Sequence, residues 1–316
     1  TIAYPDYDAV DLDEYLRIGY RYKSPAVRSA PIWVTRGCPY RCTFCAAPII
    51  NGKPVRTHSP EYITEHVKYL YETKGIEWFN IIDDNFTLRK SYAKKVCRAI
   101  IDLNLPVKFG TPNGIIMQKG DLELWKLMKQ AGWEFLVIAP ESGSQNTLNI
   151  MKKDLDLTIV PRIIDDIHSA GLSIQAFFIV GYPGETYEDL KLTKQFILNT
   201  KIEFPVINFF QALAGTPVYD ELLAKGEIDT KSKVFNIQHG KPSYKNPNLE
   251  NVNLPLFVQM TYLELVIRRP ITLFYALRYF PLKLVLRSTL LQTLNSFRSK
   301  WYDAWVLRRA TGIEFN

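Results

Sequence analysis

The chain has 316 residues, is 47% hydrophobic and carries a formal net charge of +7. That length and apolar content can bury a large core and suit one large α/β domain with an appendage, which excludes a disordered or low-complexity chain. No run reaches the roughly 18 uninterrupted apolar residues of a membrane span, and no signal peptide opens the chain. Three of the four cysteines fall within eight residues, Cys38 to Cys45, so a metal site in a reducing cytoplasm is expected rather than a disulfide framework. The first residue is Thr rather than Met, and we read the chain as a segment of a longer protein.

In chain order, residues 1–30 are polar and tyrosine-rich and read as a lead-in linker or wrapping arm. From Pro31 onward, short apolar runs alternate with helical periodicity. Strands are predicted at 32–36, 78–83, 108–111, 135–139, 174–180 and 206–213. Helices are predicted near 60–73, 90–103, 121–131, 158–170 and 187–200. Gly75, Gly132 and Gly171 each end a helical pattern just before the next strand, where a C-terminal cap belongs. Six strands alternating with helices predict a parallel sheet with helices outside. A closed barrel would usually need eight such units, so a partial, open (β/α)6 barrel over 31–224 is expected, with chemistry at the C-terminal ends of its strands.

Residues 225–253 are rich in Lys, Asn, Pro and Ser and read as a loop or boundary. Residues 254–316 read as a basic helical extension broken by Pro270 and Pro281. This extension carries nine Lys/Arg against three acids, nearly the whole excess charge. It is read as a cap on the open barrel, as a membrane-surface element or, least favoured, as a nucleic-acid contact.

The run Gly37-Cys38-Pro39-Tyr40-Arg41-Cys42-Thr43-Phe44-Cys45 has the spacing C-x-x-x-C-x-x-C. Three soft thiolates so close can hold three corners of an iron–sulfur cube. The local sequence offers no fourth thiolate, which leaves one iron open to an exogenous ligand. Zinc would want a fourth ligand nearby, and His58 lies thirteen residues on. Cys97 is expected to be buried on a helix, His66 and His168 to be surface or packing residues, and His239 to be solvated.

Further motifs fall at strand ends. The second strand runs into Asp83-Asp84-Asn85-Phe86, where carboxylates suit an ammonium group, although one of these residues could simply cap the following helix. The fourth runs into Ala139-Pro140-Glu141-Ser142-Gly143, where Glu141 can accept from a ribose diol or serve as an N-terminal helix charge. The fifth runs through Val180 into Gly181-Tyr182-Pro183-Gly184-Glu185-Thr186, a tight turn in which Glu185 is either a cap or a ligand. The sixth leads to Ala214-Gly215-Thr216-Pro217.

Together these runs resemble the radical S-adenosylmethionine (SAM) superfamily over roughly residues 31–223. The resemblance implies that Cys38, Cys42 and Cys45 are catalytic and hold a 4Fe–4S cluster whose open iron chelates SAM. It implies that one electron from the cluster cleaves SAM to methionine and a 5′-deoxyadenosyl radical, which abstracts hydrogen from a substrate. It further implies SAM contacts at Phe44, Asp83, Asp84, Glu141, Ser142, Val180 and Gly181. The set CPYRCTFC, DDNFT, APESG and GYPGET is most similar to the cobalamin-associated branch. That similarity implies cobalamin-assisted methyl transfer in the full-length protein, with a cobalamin domain upstream of residue 1. Radical cyclisation or oxidation and RNA modification stand as alternatives. Methylthio transfer would need three further cysteines, and only Cys97 is left. The implied partners are a small-molecule or lipid-like substrate and an electron donor such as flavodoxin or ferredoxin. The expected location is cytoplasmic, with possible peripheral contact at the inner membrane face; nucleic acid is not favoured.

Overall fold

The computed structural model describes residues 3–18, 28–229, 242 and 244–272. Six parallel strands form its centre: β1 (Ser29–Ile32), β2 (Trp78–Ile81), β3 (Lys108–Gly110), β4 (Phe135–Glu141), β5 (Ser173–Val180) and β6 (Phe204–Phe209). β1, β2 and β3 pair in that order, as do β4, β5 and β6. Single parallel bridges, Phe109 to Trp133 and Ile115 to Ile138, link the two half-sheets. Among the described residues no pairing returns β6 to β1, so the six-stranded barrel stays open. Pro31, which has no N–H, is tolerated within β1 because that strand lies at the edge.

The strands are almost wholly apolar because helices cover them outside and side chains fill them inside. β2 reads Trp-Phe-Asn-Ile, and all four residues are buried. Phe86, Phe109 and Trp133 stack in the middle, with Phe109 and Trp133 centroids 4.8 Å apart. The helices obey local rules. Pro60–Lys74 starts from Ser59, whose side chain accepts the Tyr62 N–H, and buries Ile63, His66, Val67 and Leu70 at helical spacing. Lys90–Asp102 buries Ala93, Val96, Cys97 and Ile100. Tyr187–Asn199 opens with a reciprocal capping box between Thr186 and Asp189.

Several short elements escape the periodicity reading, among them the helices Leu12–Ile18, Ala47–Ile50 and Gln145–Ile150, and a two-residue antiparallel ladder, Thr35–Arg36 against Arg56–Thr57, which takes its first strand from the end of the one expected at 32–36. Each is too short for an apolar period to show. The early residues lie against Pro60–Lys74. The Tyr7 hydroxyl is 2.9 Å from His66 Nε2, and the Tyr4 ring stacks on the His66 imidazole at 4.4 Å. His66 is thus a buried packing residue; His168 lies 3.0 Å from Glu203, and His239 falls outside the described residues.

The helix Leu254–Arg268 packs on Tyr187–Asn199. Lys194 reaches Glu264 at 2.7 Å, the Tyr262 hydroxyl accepts the Ile207 N–H, and the Arg269 guanidinium donates to the carbonyls of Ile197, Thr200 and Ile202. The helix leaves Leu256, Met260, Leu263 and Ile267 exposed, as is Ile271 just beyond its end. No helix among the described residues is long and apolar enough to cross a membrane. The stretch from 273 onward lies outside the described residues.

Candidate functional site

The cysteine loop leaves the C-terminal end of the β1 segment and is held from several sides. Gly37 adopts φ +102°, and a Cβ there would stand 2.3 Å from the Pro54 carbonyl oxygen, so only glycine fits. The Cys38 N–H donates to Gly52 O at 3.1 Å. Asp84 accepts from the Gly37 N–H at 2.8 Å and from the Asn51 amide at 2.9 Å, joining the strand-two motif to both ends of the loop. Asp83 points inward, its two oxygens accepting the Val34 and Thr35 N–H groups at 2.8 and 2.7 Å. Burial pushes its carboxyl up to about 7 against the pull of those N–H groups.

Thr43 ties the far side of the loop. Its N–H and hydroxyl both meet Met151 O, at 3.0 and 3.1 Å, its hydroxyl lies 2.6 Å from the Tyr182 hydroxyl, and its carbonyl accepts the Val218 N–H. The turn after β5 and the start of helix Pro217–Ala224 are thereby fastened to the cysteines. Phe44 is half-buried, and its ring meets Tyr182 edge-on at 6.3 Å.

Cys38, Cys42 and Cys45 are partly exposed and free, whereas Cys97 is fully buried in the helix layer, where burial pushes its thiol far up. Burial also raises all three loop thiols, Cys42 to about 11, with neighbouring sulfurs and Glu141 adding to the rise at Cys42 and Cys45 and Asp84 adding to it at Cys38. The Cys45 sulfur accepts the Ala47 N–H at 3.4 Å, which favours the thiolate. Among the described residues, no three Cys, His, Asp or Glu side chains close up as a single metal ion would require. A cube instead places each thiolate on a different iron, and three free sulfurs on one loop are the donor set such a cube takes.

Glu141 faces this loop because of a local irregularity. The register between β4 and β5 slips by one residue between Ile138 and Glu141, a bulge centred on Ala139-Pro140. Pro140 cannot donate to a ladder, and Glu141 then takes φ +68°, rare for a residue with a Cβ. Bulge and left-handed backbone re-aim the carboxylate to Lys153 Nζ, 3.2 Å away. Burial raises the Glu141 carboxyl, opposed by Lys153. The Lys153 ammonium is pulled down by burial but raised overall by Glu141 and the Cys42 and Cys45 sulfurs. Lys153 is thus ion-paired to Glu141 and near enough to Cys42 and Cys45 to feel their charge. Sequence reasoning missed it, because it stands in a loop after helix Gln145–Ile150, and only its two-residue distance from Met151 hints at the site.

The residues after Glu141 turn into the scaffold. Ser142 is buried, its hydroxyl 3.0 Å from that of Thr193 and accepting the Ser144 N–H. Gly143 lets helix Tyr187–Asn199 come so near that a Cβ would stand 2.5 Å from Phe196 Cβ. Val180 is buried, and its carbonyl accepts the Phe210 N–H. The Gly181 N–H donates to buried Glu185 at 2.6 Å, and the Glu185 carboxyl is pushed up to about 8 by burial. Asn246, in the segment read as a loop, clamps the same turn by donating to Tyr182 O and Glu185 O at 2.6 and 2.9 Å. The fold thus gathers the three cysteines, Phe44, Asp84, Glu141 and Lys153 around one mouth. The side chains of Asp83, Ser142 and Val180 lie in the supporting layer.

The described residues form an open parallel barrel with three free thiols and a carboxylate–ammonium pair near its strand ends. The radical SAM superfamily model matches residues 32–197, more than half the chain, and the chain belongs to that superfamily. Membership brings a 4Fe–4S cluster and SAM as cofactors. Among curated relatives, the chain is 28% identical over 260 residues to cytidylyl-2-hydroxyethylphosphonate methyltransferase of Streptomyces wedmorensis, covering 78% of this chain and 48% of that one. It is 29% identical over 250 residues to bacteriochlorophyllide d C-8(2)-methyltransferase of Chlorobaculum tepidum, covering 75% and 54%. The chain therefore spans about half the length of these relatives. Its fold is similar to the radical SAM methyltransferase TsrM of Kitasatospora setae with cobalamin and cluster bound. There the TM-score is 0.57, at 18% identity over 68% of this chain and 39% of that one. It is also similar to the cobalamin-dependent radical enzyme OxsB, with TM-score 0.56 at 16% identity over 74% and 40%.

Proposed function

We propose that this chain is the radical-generating core of a cobalamin-assisted methyltransferase. Support for methyl transfer comes from the curated relatives named as methyltransferases, and for cobalamin from solved structures of the same fold that contain it. The observation that carries the radical reading is the meeting of Cys38, Cys42 and Cys45 with Glu141 and Lys153 at the strand ends.

In this reading Cys38, Cys42 and Cys45 would hold a 4Fe–4S cluster, which when bound would supply the electron for SAM cleavage. Phe44 would hold the adenine, with Val180 and the Gly181 turn backing it. Glu141 would accept from the ribose, and Asp84, the more exposed of the acid pair, would receive the SAM ammonium. Lys153 offsets the negative charge of the thiolates, and its remaining N–H donors suit the SAM carboxylate. Asp83 and Ser142 contribute by positioning, through Val34, Thr35 and Thr193. The substrate is a small or lipid-like molecule, and flavodoxin or ferredoxin delivers the electron. The protein works in the cytoplasm. The exposed stripe from Leu256 to Ile271, followed in sequence by a basic segment, favours peripheral contact with an anionic membrane surface.

The test is anaerobic reconstitution with iron and sulfide, reduction, and incubation with methyl-labelled SAM. 5′-Deoxyadenosine is expected from this chain. S-Adenosylhomocysteine and labelled product are expected from the full-length protein with cobalamin. Absence of 5′-deoxyadenosine would sink the radical reading. 5′-Deoxyadenosine without S-adenosylhomocysteine would replace methyl transfer by cyclisation or oxidation.

A further inference from the structure

A cavity of about 340 Å³ lies between the early residues, β1 and the Thr35–Arg36/Arg56–Thr57 ladder. Its lining includes Arg36, Arg56, His58 and His66, together with the rings of Trp33 and Tyr62, and no carboxylate. Burial lowers both imidazoles, so they stand as neutral hydrogen-bonding groups.

The two arginines are directly opposite in the ladder register, Arg36 to Arg56. Like charges at facing positions repel, and a two-residue ladder has little pairing energy to offset that. Neither guanidinium has a carboxylate partner among the described residues. Both are instead anchored by Asn51: Arg36 Nε donates to its side-chain oxygen at 2.9 Å, and Arg56 donates to its backbone carbonyl. Asn51 is held in turn by Asp84, whose other oxygen is engaged by Gly37. The Arg36 guanidinium also lies 5.2 Å from the Trp33 ring centroid. Two exposed cationic forks, each tied to Asn51 and with donors to spare, therefore stand at the edge of an aromatic cavity, Arg36 one residue before the cysteine loop begins at Gly37. A pair of planar forks suits an oxyanion, and two charges suit a dianion better than a monoanion.

We propose that this cavity binds an organic phosphate: a phosphate or phosphonate monoester dianion seated on Arg36 and Arg56, its apolar or aromatic body lying against Trp33 and Tyr62. That the ligand is the substrate of the radical reaction rests on the functional reading above; the binding itself does not.

The test titrates phenyl phosphate into the cluster-reconstituted full chain, without SAM or reductant, by calorimetry and Trp fluorescence at low salt. Saturable binding is expected, weakened roughly tenfold or more in Arg36→Gln and in Arg56→Gln, the cost of one charged fork. Arg36→Lys should recover part of it. Arg162→Gln, on the outer helix Val160–Ser169, should change nothing. Benzoate should bind more weakly than phenyl phosphate, and phenol should not bind. No saturable binding, or binding indifferent to both arginines, overturns the proposal. So does competition by SAM, which would merge this cavity with the cofactor site. A protein that binds phenyl phosphate but makes no 5′-deoxyadenosine would refute the radical reading and leave the anion site standing.

Discussion

The hydroxyls of Thr43 and Tyr182 lie 2.6 Å apart, fastening the cysteine loop to the turn after β5. Thr43 sits between Cys42 and Phe44, so this contact sets the angle at which the loop crosses the barrel mouth. Thr43→Val should leave a buried Tyr182 hydroxyl without its partner and lower stability by about 1–3 kcal/mol. Tyr182→Phe should cost less, because Thr43 keeps its bond to Met151 O. Thermal melts of both variants and the double variant measure the coupling, expected near 1 kcal/mol. Iron content should fall in Thr43→Val before the fold is lost. Full additivity would show that the two hydroxyls are not linked.

Cluster assembly should depend on three thiols and not on the fourth. Alanine at Cys38, Cys42 or Cys45 should abolish the brown chromophore or leave it inactive. Cys97→Ala should keep it, at a modest stability cost for a small buried cavity. Loss of the chromophore only in the Cys97 variant would reverse the assignment.

Glu141 and Lys153 should behave as one unit. Glu141→Ala is expected to weaken SAM binding at least about tenfold with the cluster intact. Lys153→Met should do the same and also destabilise the fold, because it leaves a buried carboxylate without its counter-charge. The double variant should lose less than the sum of the two. Unchanged SAM affinity in Glu141→Ala, measured by equilibrium binding, would remove that residue from the site.

The Glu185 carboxyl makes stability pH-dependent. Its folded value, about 8, lies above the usual carboxyl range, so the folded protein retains a proton that the unfolded chain has released. The resulting stability is complete below the ordinary glutamate range and is lost as pH rises toward 8, at on the order of 1 kcal/mol per pH unit. Glu185→Gln, neutral at all pH, should flatten that segment of the melting-temperature profile. If the wild-type and variant profiles run parallel from pH 5 to 9, the buried acid is not the cause.

Membrane contact should combine insertion of the exposed stripe with attraction to anionic lipid, each basic residue near the surface contributing roughly 1 kcal/mol. Sedimentation with anionic vesicles should be clear at low salt, weak at high salt and absent with neutral vesicles. Leu263→Glu with Ile267→Glu should abolish it. Reversal at Arg269 is a poor probe, because that guanidinium is bonded to backbone carbonyls of the barrel. No sedimentation at any salt would leave the extension as a cap alone.

Several features were legible in the sequence because they are local. The C-x-x-x-C-x-x-C spacing names its chemistry within eight residues. The helices from Pro60 to Asn199 and the strands between them follow from apolar period, Ser and Thr caps and terminal glycines, all of which act over a few residues. Tertiary structure decided which residues face one another. Asp83 and Asp84 are neighbours in sequence, yet one is turned onto Val34 and Thr35 and the other onto Gly37 and Asn51. Lys153 carries no motif and reaches the site only because the bulge at Pro140 rotates Glu141 toward it. Arg36 and Arg56 stand twenty residues apart, and only the ladder sets them opposite each other. A charge in a sequence has a sign but no neighbour across space; burial and pairing, which decide what the charge does, come into being only when the chain closes on itself.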